Sequence, residues 1–237
     1  MRVSLFITCL ADMFFPNTGE AVVRLLKRHG AQVDFPPEQT CCGQPAFNGG
    51  FRDEARQMAR QWVKAFRNSE YVVTPSGSCA AMVRNYYPEL LPESKEIASR
   101  TYEFTQFMVD VLKVEDVGAE FKARATFHQS CHMSRELGVI HQPLTLLRHV
   151  KGLELIELPR KELCCGFGGS FSVKMPEISE AMVTDKVAAV ASTNADILVG
   201  ADSSCIMNIA GRINREGRPI RAMHVAELLW EGVKGRG

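Results

Sequence analysis

Cys41-Cys42-Gly43-Gln44-Pro45-Ala46 and Cys164-Cys165-Gly166-Phe167-Gly168-Gly169 are the two places where this chain doubles a cysteine and follows it with glycine. Cys9 and Cys79 flank the first pair, Cys131 and Cys205 flank the second, and these account for all eight cysteines in the chain. The steps are 32, 1 and 37 residues in the first set and 33, 1 and 40 in the second. Spacing repeated this closely means one unit used twice.

The repeat reaches beyond sulfur. Leu25-Leu26-Lys27-Arg28 leads into the first pair as Leu146-Leu147-Arg148-His149 leads into the second, and Val72-Val73-Thr74-Pro75-Ser76-Gly77-Ser78-Cys79 aligns with Leu198-Val199-Gly200-Ala201-Asp202-Ser203-Ser204-Cys205. The offset drifts from 121 to 126 residues, which small loop insertions absorb at little entropic cost. Two repeats are therefore expected, 1–115 and 116–237.

Short apolar runs alternate with amphipathic stretches, the pattern of parallel strands covered by helices. Strands are predicted at Val3–Ile7, Ala31–Phe35, Tyr71–Thr74, Ala125–His128, Leu153–Leu158 and Asp196–Gly200. Helices are predicted at Thr18–His29, closed by Gly30, at Arg52–Arg67, Pro143–Val150 and Ile178–Ala191, with a linking helix at Thr101–Leu112. The fold class is α/β: two pseudo-symmetric Rossmann-like halves, each a mostly parallel sheet flanked by helices. Cys9, Cys79, Cys131 and Cys205 each fall just beyond the carboxyl end of a strand, where open α/β sheets form their ligand crevices. Each half can thus gather four thiols at one sheet edge although they are far apart in sequence.

The 237 residues suffice for one large domain or two smaller halves, with 46% hydrophobic residues. Lysine plus arginine number 28 against 27 acidic residues, so no basic tract exists to follow a phosphate backbone, and nucleic acid is not an expected partner. No apolar run approaches the ~18 residues of a membrane helix, so no transmembrane segment is expected. The opening run Val3 to Ala11 is stopped by Asp12 and reads as a strand rather than a signal core. A chain of this length needs no disulfide staples, so the cysteines point to a reducing compartment, the cytoplasm. Neighbours such as Cys41 and Cys42 bridge each other only under strain.

Four soft sulfur donors per half suit zinc or an iron–sulfur cluster. Zinc sites generally use Cys-x-x-Cys knuckles, and none is present. Adjacent cysteines splay their side chains and favour a larger, multinuclear cluster. The candidate ligands are therefore Cys9, Cys41, Cys42 and Cys79 with Cys131, Cys164, Cys165 and Cys205, for iron–sulfur clusters, with zinc as the alternative. No catalytic residue is assigned.

Cys, then Cys-Cys-Gly, then a further cysteine about three dozen residues on, given twice, resembles the CCG cysteine-rich domain of heterodisulfide reductase. The strings Val3-Ser4-Leu5-Phe6-Ile7-Thr8-Cys9, Cys41 to Ala46, Pro75 to Cys79 and Cys164 to Gly169 are similar to those of the lactate utilization protein A family. That resemblance implies [4Fe-4S] clusters, up to one per half, in an electron-transfer subunit of a cytoplasmic system oxidising L-lactate to pyruvate. It further implies companion lactate-utilization proteins, one of them ferredoxin-like, and leaves open contact with L-lactate itself. A zinc-stabilised scaffold subunit without redox role is the alternative.

The chain departs from the heterodisulfide reductase pattern where that family has a Cys-x-x-Cys pair, because Ser76 and Asp202 stand in place of the first cysteine. Asp202 is read either as a helix N-cap or as an oxygen ligand to iron, the cap being the commoner role before Ser-Ser. His128 is read as a hydrogen-bonded core residue, and His132, beside Cys131, as the better candidate for tuning or proton transfer. The glycines after each pair are expected to let backbone amides approach bridging sulfides, or simply to make a tight turn. Met58, Trp62 and Phe66, and Ile178, Met182 and Val190, are expected core faces. Arg52, Arg56 and Arg60 form a basic stripe, read as a solvated face rather than a site for a carboxylate.

Overall fold

The computed structural model describes residues 1–234. Eight strands form two four-stranded sheets. The first comprises β1 (Arg2–Leu5), β2 (Gln32–Asp34), β3 (Tyr71–Thr74) and β4 (Thr101–Glu103), in the order β2-β1-β3-β4. The second comprises β5 (Glu120–His128), β6 (Lys151–Ile156), β7 (Ile197–Gly200) and β8 (Arg221–His224), in the matching order β6-β5-β7-β8. Every pairing is parallel. Val3 pairs with Tyr71 in the first sheet as Ala125 pairs with Ile197 in the second, so the inner strands repeat in register as well as in order.

Parallel neighbours need crossovers, and the amphipathic stretches supply them as covering helices. Pro16–Arg28 turns Ala21, Val22, Leu25 and Leu26 inward, with Pro16 at a position where its missing N–H costs nothing. Arg52–Phe66 buries Ala55, Ala59, Trp62 and Phe66. Its counterpart, Pro176–Ala191, buries Val183, Val187 and Val190, together with Lys186.

Two sequence expectations are corrected. Thr101–Leu112 is not one helix: Thr101–Glu103 is the edge strand β4, and the chain becomes helical only at Phe104. Glu103 explains the switch, because its side chain accepts from the amides of Thr105 and Gln106 and caps the helix that follows. Ile178 is not core but 53% exposed, and the buried position on that stripe is taken by Lys186. The second edge strand, β8, and the helix Val225–Lys234 after it lie beyond the predicted elements; a four-residue strand beginning with arginine carries little period-2 signal.

The halves are joined through their sheet edges and a common core. Ser76 and Asp202 form an antiparallel bridge, the Gly77 amide donates to the Ala201 carbonyl at 3.3 Å, and His224 Nε2 lies 3.0 Å from the Pro75 carbonyl oxygen. Thr18 Oγ1 donates to Glu227 Oε1 at 2.5 Å. One apolar cluster runs through both halves, holding Leu25, Leu26 and Phe107 with Leu146, Leu228 and Leu229. Two smaller clusters lie beneath the cysteine pairs, one per half.

Candidate metal centre

In each sheet the chain leaves the first inner strand to one side and returns on the other, so β1/β3 and β5/β7 are topological switch points. Such points open a crevice at the carboxyl ends of the strands. Cys9 opens a short helix (Cys9–Phe14) after β1, and Cys79 sits in the first turn of Gly77–Ala81 after β3. Cys131 opens Cys131–Arg135 after β5, and Cys205 lies in the first turn of Ser203–Arg215 after β7. The doubled cysteines arrive on the loops after β2 and β6. All eight line one cleft of about 780 Å³, its open mouth included, which is shared by the two halves. None is bonded to another in a disulfide.

Within each set the thiols touch in a chain. Cys9 Sγ is 3.6 Å from Cys41 Sγ, and Cys165 Sγ is 3.0 Å from Cys205 Sγ. Cys42 and Cys9 both donate to Cys41, whose pKa falls to about 3. Cys131 and Cys165 likewise donate to Cys164, which falls to about 2. The donors are pushed up by that same bond and by burial. One thiolate per half is thus held by its neighbours, the protonation state a metal requires. The Gly43 and Gly166 amides add a donor each, 3.5 Å from Cys41 Sγ and 3.4 Å from Cys164 Sγ. Both glycines have positive φ, 79° and 82°, the turn that swings the amide back over the sulfur. Thr8, immediately before Cys9, is held at φ 73°, a region L residues rarely adopt and one that strain tends to mark at functional sites.

Asp202 is a cap. Its Oδ1 accepts from the amide of Ser204 at 3.2 Å, and its Oδ2 accepts from the amide of Ser78 at 2.8 Å and from Ser76 Oγ at 3.3 Å. One carboxylate therefore holds the start of Ser203–Arg215 and, across the pseudo-symmetric junction, the start of Gly77–Ala81. Ser76 in turn accepts from the Cys79 amide at 3.3 Å. Ser76 and Asp202 thus fix the helices carrying Cys79 and Cys205.

His132 lies beside its cysteine as expected, and His128 departs from its expected part. His132 lines the cleft with Nδ1 3.6 Å from Cys131 Sγ and Nε2 3.7 Å from Glu136. His128 is 1% exposed, yet neither ring nitrogen has a hydrogen-bond partner, against the expectation of a bonded core residue. Its imidazole and the sulfurs of Cys165 and Cys205 lie within 4.8 Å of one another. Burial, with Lys186 nearby, lowers its pKa to about 3 and keeps the ring neutral. Lys186, itself buried, donates to the Lys161 carbonyl at 3.3 Å, and desolvation lowers its pKa. A lysine four residues from both Met182 and Val190 on an apolar stripe is the sequence signal that marks it. Tyr87 Oη and Asn208 Nδ2 support the pairs from behind, donating to the carbonyls of Cys42 at 2.9 Å and Cys165 at 2.8 Å.

The basic stripe does not reach the cleft. Arg56 bonds Asp53 and the Leu90 carbonyl, and Arg52 stacks 3.5 Å over the Phe47 ring. Among the described residues no helix is long and apolar enough to cross a membrane.

Two stretches, 3–84 and 125–210, match the family model described as the CCG cysteine-rich domain. Lactate utilization protein A of Geobacillus kaustophilus is 57% identical over 235 residues, covering 97% of this chain and 98% of that one. The protein of the same name from Bacillus licheniformis is 55% identical over 235 residues, covering 97% and 99%. Lactate utilization protein A 2 of Bacillus cereus is 51% identical over 240 residues, covering 98% and 99%. Among solved structures, a putative Asp/Glu racemase from Yersinia pestis aligns with a TM-score of 0.42 at 8% identity over 99% of this chain and 98% of that one, a likeness too loose to carry an argument. Clustered thiols suited to metal, a doubled CCG domain and full-length likeness agree: the chain belongs to the lactate utilization protein A family.

Proposed function

We propose that this chain is an iron–sulfur electron-transfer subunit of a cytoplasmic system that oxidises L-lactate to pyruvate. The carrying observation is the convergence of all eight cysteines on one cleft, four at each switch point. Cys9, Cys41, Cys42 and Cys79 would hold one cluster, and Cys131, Cys164, Cys165 and Cys205 a second, the [4Fe-4S] type suiting four thiolates. The donor set fits: four thiols converge in each half, thiol and amide donors favour ionisation of Cys41 and Cys164, and no Cys-x-x-Cys knuckle of the zinc kind occurs. When bound, such clusters take up and release single electrons.

The chain's own residues hold the thiols in place, through the Asp202 and Ser76 caps and the carbonyl bonds from Tyr87 and Asn208. Lactate oxidation releases two electrons and two protons, and as an electron carrier the chain would serve as a non-autonomous subunit. Exposed Met13 and Phe14 end the helix that Cys9 begins, and exposed Phe51, Val173 and Met175 follow cleft-lining segments closely in sequence. Apolar groups left in water beside a redox cleft suit docking of companion proteins, one of them ferredoxin-like. The names of the relatives supply the metabolite.

The test is iron, sulfide and zinc content of protein purified without oxygen, with absorption spectra before and after dithionite. Brown protein that bleaches and carries iron with matching sulfide is expected. Colourless protein with about one zinc per half would instead establish the scaffold reading. Lactate-dependent reduction, measured with the isolated chain and with its companions, then shows which subunit meets lactate.

A further inference from the structure

The thiol sets are near-identical, but their surroundings are not. Met58 packs on Gly43 after the first cysteine pair as Met182 packs on Gly166 after the second, which aligns the helix Arg52–Phe66 with Pro176–Ala191. In that alignment Trp62 corresponds to Lys186, and the strand register makes Phe6 correspond to His128. Phe6, Trp62, Phe66 and Tyr87 form a continuous aromatic cluster in the first half, with centroids 5.8 Å apart for Phe6 and Trp62 and 5.4 Å for Trp62 and Tyr87. The same places in the second half hold His128 and Lys186, with Val190 and Ile213.

We propose that the two centres are electronically inequivalent, the second being the stronger electron acceptor because His128 and Lys186 stand where the first has Phe6 and Trp62. The inference rests on the iron–sulfur reading above. Its ground is independent of that reading: an imidazole with both nitrogens buried and unpartnered, beside the sulfurs of Cys165 and Cys205, is a polar group whose partner is supplied only by what the cysteines bind. A donor aimed at cluster sulfur, or a nitrogen in place of a thiolate, stabilises the reduced state and raises the potential. The amine of Lys186, buried on the helix whose Val183, Val187 and Val190 pack in one cluster with Cys165 and Cys205, acts in the same direction. In the first half Trp62 Nε1 is also buried and unpartnered, but the wall around it is completed by Phe6, Phe66 and Tyr87, whereas the second half sets the amine of Lys186 beside its imidazole. Electrons entering the chain would therefore rest in the second half.

The experiment is a redox titration followed by electron paramagnetic resonance on the full chain, purified without oxygen, with iron and sulfide measured on each sample. Wild type should show two separable one-electron transitions. Lys186→Met and His128→Phe, which import the first half's apolar character, should each lower the higher transition and leave the lower one unmoved. The expected shift is tenfold or more in the reduction equilibrium, about 59 mV for one electron. Lys186→Arg, which keeps the cation, should restore most of it. Should His128→Phe fail to fold, Lys186→Met carries the same test. Coincident transitions in the wild type, iron in one set only, or a shift of the lower transition in the variants would overturn the inference while leaving the iron–sulfur reading in place. Protein without iron and sulfide overturns both.

Discussion

Both oxygens of Asp202 are occupied by backbone amides of two different helices, so its removal acts twice. Loss of an N-cap costs about 1 kcal/mol per helix, and the half-buried Ser78 amide is left without its acceptor. Asp202→Ala should lower stability by about 2–3 kcal/mol, a fall in Tm of roughly 4–12 °C by circular dichroism. Asp202→Asn, which keeps one acceptor oxygen, should fall between. Glu103 gives a pH signature. It is fully buried, one oxygen is unpartnered, and burial raises its pKa to about 7 from the ordinary 4.5. The folded state therefore holds the proton more tightly than the unfolded chain, and stability falls as pH rises from about 4.5 to about 7, by roughly 3 kcal/mol in all. Glu103→Gln carries no such proton. Its Tm relative to wild type should climb between pH 5 and pH 8, and a constant difference across that range would count against the buried-acid account.

The elements that present cysteines depend on glycine turns of unequal tightness. A Cβ at Gly166 would lie 2.7 Å from the Ser179 carbonyl oxygen, which is backbone and cannot move away cheaply. One at Gly43 meets Met58 Cβ at 3.2 Å and Sδ at 3.3 Å, a tight approach without a backbone atom in the way. Both carry the left-handed conformational cost of about 1–2 kcal/mol, but only the second-half turn adds a backbone clash. Gly166→Ala should therefore be more destabilising than Gly43→Ala in chemical denaturation, and on the iron–sulfur proposal iron should be lost first from the second set. Most of these elements are readable from period and punctuation, since inner strands such as Tyr71–Thr74 are apolar runs ending in turn residues. The edge strands β4 and β8 are not, because three or four residues with mixed polarity look the same in a loop; their pairing with β3 and β7 is what makes them strands. Lys186 is marked in the sequence only by its place on an apolar stripe, because helical periodicity says which face is buried and not which buried position tolerates a charge.

At the scale of the molecule the duplication does not give two independent bodies. Helix Pro16–Arg28 of the first half and helix Val225–Lys234 of the second bury Leu25, Leu26, Leu228 and Leu229 in one cluster. A fragment of residues 1–115 would expose that apolar face to water, at about 25 cal/mol per Å² uncovered. It should remain unfolded or aggregate, while the full chain melts in one transition; two separated transitions in calorimetry would refute this. The α/β class, the doubled unit and the eight thiols with their metal-binding character follow from the chain as written. They depend on local period, on spacing and on side-chain chemistry, all of which lie along the sequence. Folding in three dimensions adds that both sets open into one cleft, that Asp202 spans the two halves as a cap, and that His128 and Lys186 flank one set while aromatic rings flank the other. Those facts join residues distant in the chain, some more than a hundred positions apart, and their separation in space is set by how two sheets pack, which no local pattern encodes.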